Sequence, residues 1–136
     1  MEYEERVSYL EALMFMATID EKVEENELEH FNQVCVMYGI SSDDIESIKK
    51  SVLKKEKTAE EILSPIKSRQ TKLALIYELL ALCYADGAYN LAEKNGMTNI
   101  CNILNIEISK LHELENVIEE SIQIQKKINA ILEREE

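Results

Sequence analysis

Slid along itself by 66 residues, the chain lays positions 13 to 45 on 79 to 111 without a gap. A fixed internal offset constrains the fold strongly, because each copy must form the same supersecondary unit and bury its apolar face against a neighbour. Leu13/Leu79, Asp20/Asp86, Glu27/Glu93, Cys35/Cys101 and Ile40/Ile106 are identical pairs. Apolar character is kept at Met14/Leu80, Met16/Leu82, Val23/Tyr89, Phe31/Met97, Val34/Ile100, Met37/Ile103 and Ile45/Leu111. Gly39 and Asn105 also correspond, and both residue types tolerate the left-handed backbone that ends a helix.

Within each copy the apolar spacing is helical. Val7, Leu10, Leu13, Met14 and Ala17 form one stripe closed by Asp20, and Leu28, Phe31, Val34, Cys35 and Tyr38 form a second that stops at Gly39. Ser41 or Ser42 can cap a third helix bearing Ile45, Ile48, Val52 and Leu53, and Thr58 with Glu61 makes a capping box for a brief fourth, limited by Pro65. From Ser68 to Ala85 the residues Leu73, Leu75, Ile76, Leu79, Leu80, Leu82 and Cys83 cover most of the helix circumference, which predicts the central, most buried element. Asn90 and Glu93 give a second capping box ahead of Met97, Ile100, Cys101 and Leu104, and a last helix from about Ser109 carries Leu111, Leu114, Val117, Ile118, Ile124, Ile128, Ile131 and Leu132. Three Gly and one Pro in 136 residues leave little punctuation for a β fold with many turns. The expectation is an all-α domain over residues 1–136. It has about seven helices in two pseudo-repeats of a helix–acidic turn–helix unit, one over about 4–57 and the other over about 68–136.

A net charge of -12 repels phosphate backbones and anionic lipid, so nucleic-acid binding is not expected. The one basic run, Lys49, Lys50, Lys54, Lys55 and Lys57, contains Glu56 and no aromatic residue, and it reads as a solvated helix face and linker. Cys35, Cys83 and Cys101 lie singly in apolar runs and read as reduced core thiols. No stretch reaches the ~20 apolar residues of a membrane span and no basic leader opens the sequence, so no direct membrane insertion is expected and the location expected is cytoplasmic.

Both copies place Asp at the end of their first helix, where the negative end of the helix dipole disfavours an anion. Helix architecture alone can account for the acids, with Asp20 and Asp86 terminating a helix and Glu27 and Glu93 closing capping boxes or facing a positive helix end, but it does not explain why Asp should end both first helices. A cation or a basic partner group would remove that conflict.

Ala85-Asp86-Gly87-Ala88-Tyr89-Asn90-Leu91-Ala92-Glu93, with Thr18 to Glu27 as its looser copy, resembles the turn of the tellurite-resistance TerB family, whose helical domain also occurs in DjlA-type membrane-anchored cochaperones. The resemblance covers essentially the whole chain. The first copy departs from it, with Glu21 in place of the family's Gly and Ile19 in place of its Ala. The resemblance implies a non-enzymatic, stress-response interaction module. It also implies an acidic site for a divalent cation (calcium, magnesium or manganese) carried over to Asp20, Glu27, Asp86 and Glu93, and a protein partner, with room for one associated with a membrane. A structural or oligomerising protein is the alternative, with the acidic turns acting only as caps and the final helix supporting a homo-oligomer.

Rival chemistries fit less well. An EF-hand needs oxygen ligands at alternating positions and a Glu at the twelfth, and Ala88 breaks that series. The di-iron element Glu27-Leu28-Glu29-His30 has as its copy Glu93-Lys94-Asn95-Gly96, which lacks the histidine. Neither His30 nor His112 has a nucleophile placed beside it by sequence, and hydrolysis by the paired acids would need a cleft that such short loops do not provide.

Overall fold

The computed structural model describes residues 2–19, 25–85 and 89–134, with the side chains of Asn26, Glu27 and His30 left out. The described residues form seven helices and no strand: α1 (Tyr3–Ala17), α2 (Glu25–Met37), α3 (Ser42–Leu53), α4 (Ala59–Leu63), α5 (Arg69–Ala85), α6 (Leu91–Leu104) and α7 (Ile108–Ile131). The all-α expectation holds. The pairs α1/α5, α2/α6 and α3/α7 each begin 66 residues apart, the same offset that aligns the sequence, and α4 lies between the two sets.

The helix ends form by local chemistry. Ser41 Oγ accepts from the Asp44 N–H at 3.3 Å, and Thr58/Glu61 and Asn90/Glu93 each close both bonds of a capping box. At the C-termini of α2 and α6 the chain turns through Gly39 at φ 74° and Asn105 at φ 60°. There the Ile40 N–H donates to the Cys35 carbonyl at 3.1 Å, and the Ile106 N–H donates to the Cys101 carbonyl at 2.9 Å. These are Schellman closures, and the following residues Ile40 and Ile106 are both buried, which seals each helix end with an apolar contact. α3 ends the same way through Lys55 at φ 55°.

Two apolar clusters share α1. Tyr9, Ala12 and Met16 join α4, α5, α6 and the start of α7, whereas Leu10 and Met14 join Phe31, Cys35, Ile40, Ile45, Ile48 and Val52 of the first copy. Leu13, Phe15 and Tyr38 pack against both clusters. α5 is the central helix the sequence predicts, with Leu75, Ile76, Leu79, Leu80 and Cys83 fully buried, and α1, its counterpart in the first copy, is buried around most of its surface as well. Gly96 faces the end of α1: a Cβ there would run into the Ile19 side chain, so glycine lets α6 approach closely. No described helix is long and apolar enough to cross a membrane.

Candidate functional site

Of the four carboxylates expected to gather, Asp20 and Asp86 lie outside the described residues. Glu27 is the third residue of α2, as Glu93 is of α6, but its side chain also lies outside them. Glu93 is buried, and its Oε1 accepts from the Asn90 N–H at 3.0 Å while Asn90 Oδ1 accepts from the Glu93 N–H at 2.9 Å. The helix start therefore accounts for Glu93 without a cation. A metal ion at this corner would have to share a carboxylate already committed to the cap.

Around that corner stand Tyr84, Tyr89, Glu115 and Glu119. Tyr84 comes from the last turn of α5, Tyr89 directly precedes the Asn90 cap, and α7 presents Glu115 and Glu119 one turn apart. The Tyr89 hydroxyl donates to Glu115 Oε2 at 2.7 Å and the Tyr84 hydroxyl to Glu119 Oε1 at 3.1 Å. The two rings lie 4.9 Å apart at 34°, and Lys94 Nζ sits 5.6 Å from the Tyr89 ring centre. His112 Nδ1 is 2.9 Å from the other Glu115 oxygen. Tyr84, Tyr89, Lys94, Glu115, Asn116 and Glu119 line an open recess of about 350 Å3.

Electrostatics follow from that geometry. Burial first, then the hydrogen bond to Glu119, pushes the Tyr84 phenol up to about 12, and burial with the Glu115 bond raises Tyr89 further still. Both phenols stay protonated and donate to the carboxylates, leaving ring faces and anionic edges that suit a positive group. Lys94 shows that an ammonium fits above the Tyr89 ring. Glu115 and Glu119 could have been noticed in the sequence as an i, i+4 acidic pair, but only the fold shows that the tyrosines reach them.

A larger groove of about 580 Å3 runs between α1 and α3, with Tyr3, Ser8, Glu11, Asp44, Ser51 and Lys57 among its walls. The Tyr3 hydroxyl bonds Asp44 across it. Glu11 and Ser8 are buried in its floor, and Lys57 closes on Glu11 at 2.9 Å. Lys57 thus leaves the basic run expected to be solvated and serves a buried acid. The signal for that was Glu11 itself, a lone charge in the apolar run from Tyr9 to Met16.

The three cysteines are buried and form no disulfide, as expected. Burial raises both Cys35 and Cys101 to about 11, where little nucleophilic thiolate forms at neutral pH. Compared with protein-family models, curated proteins and solved structures, the chain matches none.

Proposed function

We propose that this chain is a non-enzymatic interaction module of the TerB-like kind, and that the corner formed by Tyr84, Tyr89, Glu115 and Glu119 receives a cationic group of a protein partner. The observation that carries the reading is the Lys94 ammonium held 5.6 Å above the Tyr89 ring, beside two carboxylates fixed by phenol donors. A basic side chain entering the recess would displace Lys94 from the ring face and would meet carboxylates already held in place by their phenol donors. The chain's charge of -12 would speed the approach of such a partner and make the association salt-sensitive. The high thiol pKa values of Cys35 and Cys101 favour binding over thiol chemistry. The stress-response setting rests on the resemblance of the Ala85–Glu93 turn alone.

A divalent cation held by Asp20, Glu27, Asp86 and Glu93 is the narrower form of this proposal. Titration of the folded protein with a lysine-rich peptide, and separately with calcium, magnesium and manganese, tests both forms by amide NMR shifts and melting temperature. Peptide shifts centred on Tyr84, Tyr89 and Lys94 that vanish in Glu115→Gln/Glu119→Gln support the first form. A melting rise with a divalent salt that Asp86→Asn removes supports the second. No response to either peptide or metal rejects both. A second reading, an oligomerising protein, is favoured by the apolar residues that α7 leaves exposed.

A further inference from the structure

α7 carries two apolar stripes. The first, Leu111, Leu114, Ile118 and Ile122, docks on the domain, with Leu111 and Ile118 buried in the main cluster and Leu114 and Ile122 packed against it. The second is solvent-facing: Val117, Ile124, Ile128 and Ile131 are 52%, 57%, 41% and 80% exposed. At 100° per residue the second stripe is rotated by roughly a third of a turn from the first, so it is not the docked face running on past the edge of the domain. With Ser121 it keeps alternating spacings of four and three over about 21 Å of helix, the pattern of a coiled-coil seam.

Charge along α7 is polarised. Glu113, Glu115, Glu119 and Glu120 outnumber Lys110 in the half from Ile108 to Glu120, and Lys126 and Lys127 are the only charged residues in the half from Ser121 to Ile131, ahead of the Glu133-Arg134-Glu135-Glu136 tail. A parallel pair would set like against like, whereas an antiparallel pair sets the acidic half of one helix on the basic half of the other. In the antiparallel register Ser121 meets Ile124 of the second copy, and Val117 meets its Ile128. Glu120 then flanks the seam opposite Lys127 of the other chain, and Lys127 opposite its Glu120. Acidic bodies carrying -12 each oppose association, which makes this local complementarity the feature that selects the partner and its direction.

We propose that the exposed stripe of α7 is the interface of an antiparallel homodimer, two copies packing along Val117, Ser121, Ile124, Ile128 and Ile131. The proposal starts from the oligomerising reading and stands whether or not the acidic corner binds a cation. Interfaces of this length fall at the small end of specific contacts, so the dimer forms in the micromolar range of concentration.

Sedimentation equilibrium of the full-length protein, with circular dichroism on each variant to verify the fold, tests it. The expected result is a monomer–dimer equilibrium that Ile124→Glu or Ile128→Glu abolishes while helicity is kept. Glu120→Lys and Lys127→Glu should each weaken the dimer about tenfold, since each brings like charges together at both symmetric contacts. The double variant Glu120→Lys/Lys127→Glu should restore it to within about threefold of the native value. A monomer up to millimolar concentration, or a dimer indifferent to Ile124→Glu, overturns the proposal. Failure of the double variant to restore association overturns the antiparallel register. Because none of these variants touches Tyr84, Tyr89, Glu115 or Glu119, peptide binding at the corner is read independently.

Discussion

Lys57 Nζ stands 2.9 Å from Glu11 Oε2, joining a half-exposed ammonium to a carboxylate that is almost completely buried. The two ends of this ion pair are unequal in consequence. Removing Lys57 leaves a buried anion without its partner, while removing the charge of Glu11 leaves a lysine free to return to water. Lys57→Met should therefore destabilise the protein by about 2 kcal/mol, discounted from the value for fully buried pairs because Lys57 reaches solvent. Glu11→Leu, which removes the charge and keeps the volume, should cost under about 1 kcal/mol. Urea unfolding of the two variants measures this asymmetry, and equal losses would show that the pair acts as a surface contact.

Four described helices end through a left-handed residue, Gly39, Lys55, Asn105 and Glu133, but only one of these residues is glycine. At Gly39 a Cβ would meet nothing within 4 Å, so Gly39→Ala isolates the backbone cost at φ 74° and should destabilise by about 1 kcal/mol. Lys55 and Asn105 hold the same conformation with side chains. Lys55→Gly should therefore gain a few tenths to about 1 kcal/mol, and Asn105→Gly less, because asparagine already tolerates that region. Thermal melts of the three variants check the order.

Asn90→Ala should cost about 1 kcal/mol, because it removes the acceptor for the Glu93 N–H at the start of α6. Glu93→Gln keeps an oxygen able to accept from the Asn90 N–H and should cost less than half as much. If Glu93 instead served chiefly as an anionic ligand, Glu93→Gln would stabilise the metal-free protein by relieving repulsion. The sign of that one change in chelator-treated protein separates the two roles.

Cys35, Cys83 and Cys101 are fully buried. Disulfide-exchange reagents at pH 8 should label them only when the fold opens, so the labelling rate in dilute denaturant should follow the unfolding equilibrium. Rapid labelling of any one thiol in native buffer would mark a part of the core that opens separately.

Most of the fold was legible because its determinants are local. Thr58/Glu61, Asn90/Glu93, Gly39 and Asn105 announce helix ends within a few residues, and the apolar stripes between them announce the buried faces. The central place of α1 was less plain: its run contains Ser8 and the charge of Glu11, whose partner Lys57 lies 46 positions later. The tyrosine corner was hidden for the same reason. Tyr84 and Glu119 are separated by 35 residues and Tyr89 and Glu115 by 26, and only the docking of α7 on α5 and α6 brings them into register. Sequence spacing finds partners on one helix, whereas partners on different helices depend on packing.

The tyrosines carry the last prediction, a dependence of stability on alkaline pH. Tyr9, Tyr38, Tyr84 and Tyr89 are all held above the ordinary phenol range, chiefly by burial, with Glu78 reinforcing the first two, Glu119 the third and Glu115 the fourth. A phenol whose folded pKa exceeds its unfolded value of about 10 binds its proton more tightly in the native state, so its contribution is complete below pH 10 and is lost as pH rises through the folded value. Stability should be insensitive to these groups from pH 6 to about 9.5 and then fall steeply from about pH 10, with the share of Tyr84 fully lost only as pH passes about 12. Tyr89→Phe should cost about 1 kcal/mol at pH 7 through the lost bond to Glu115, yet make the alkaline slope shallower because one linked proton is gone. Glu115→Gln removes the anion that holds the phenol proton without deleting the phenol, so it should lower the Tyr89 value and flatten the slope less than Tyr89→Phe does. Urea midpoints measured at half-unit steps from pH 8 to 11.5, with phenolate absorbance recorded alongside, test the ordering. A slope unchanged in Tyr89→Phe would show that this phenol ionises alike in the folded and unfolded chain.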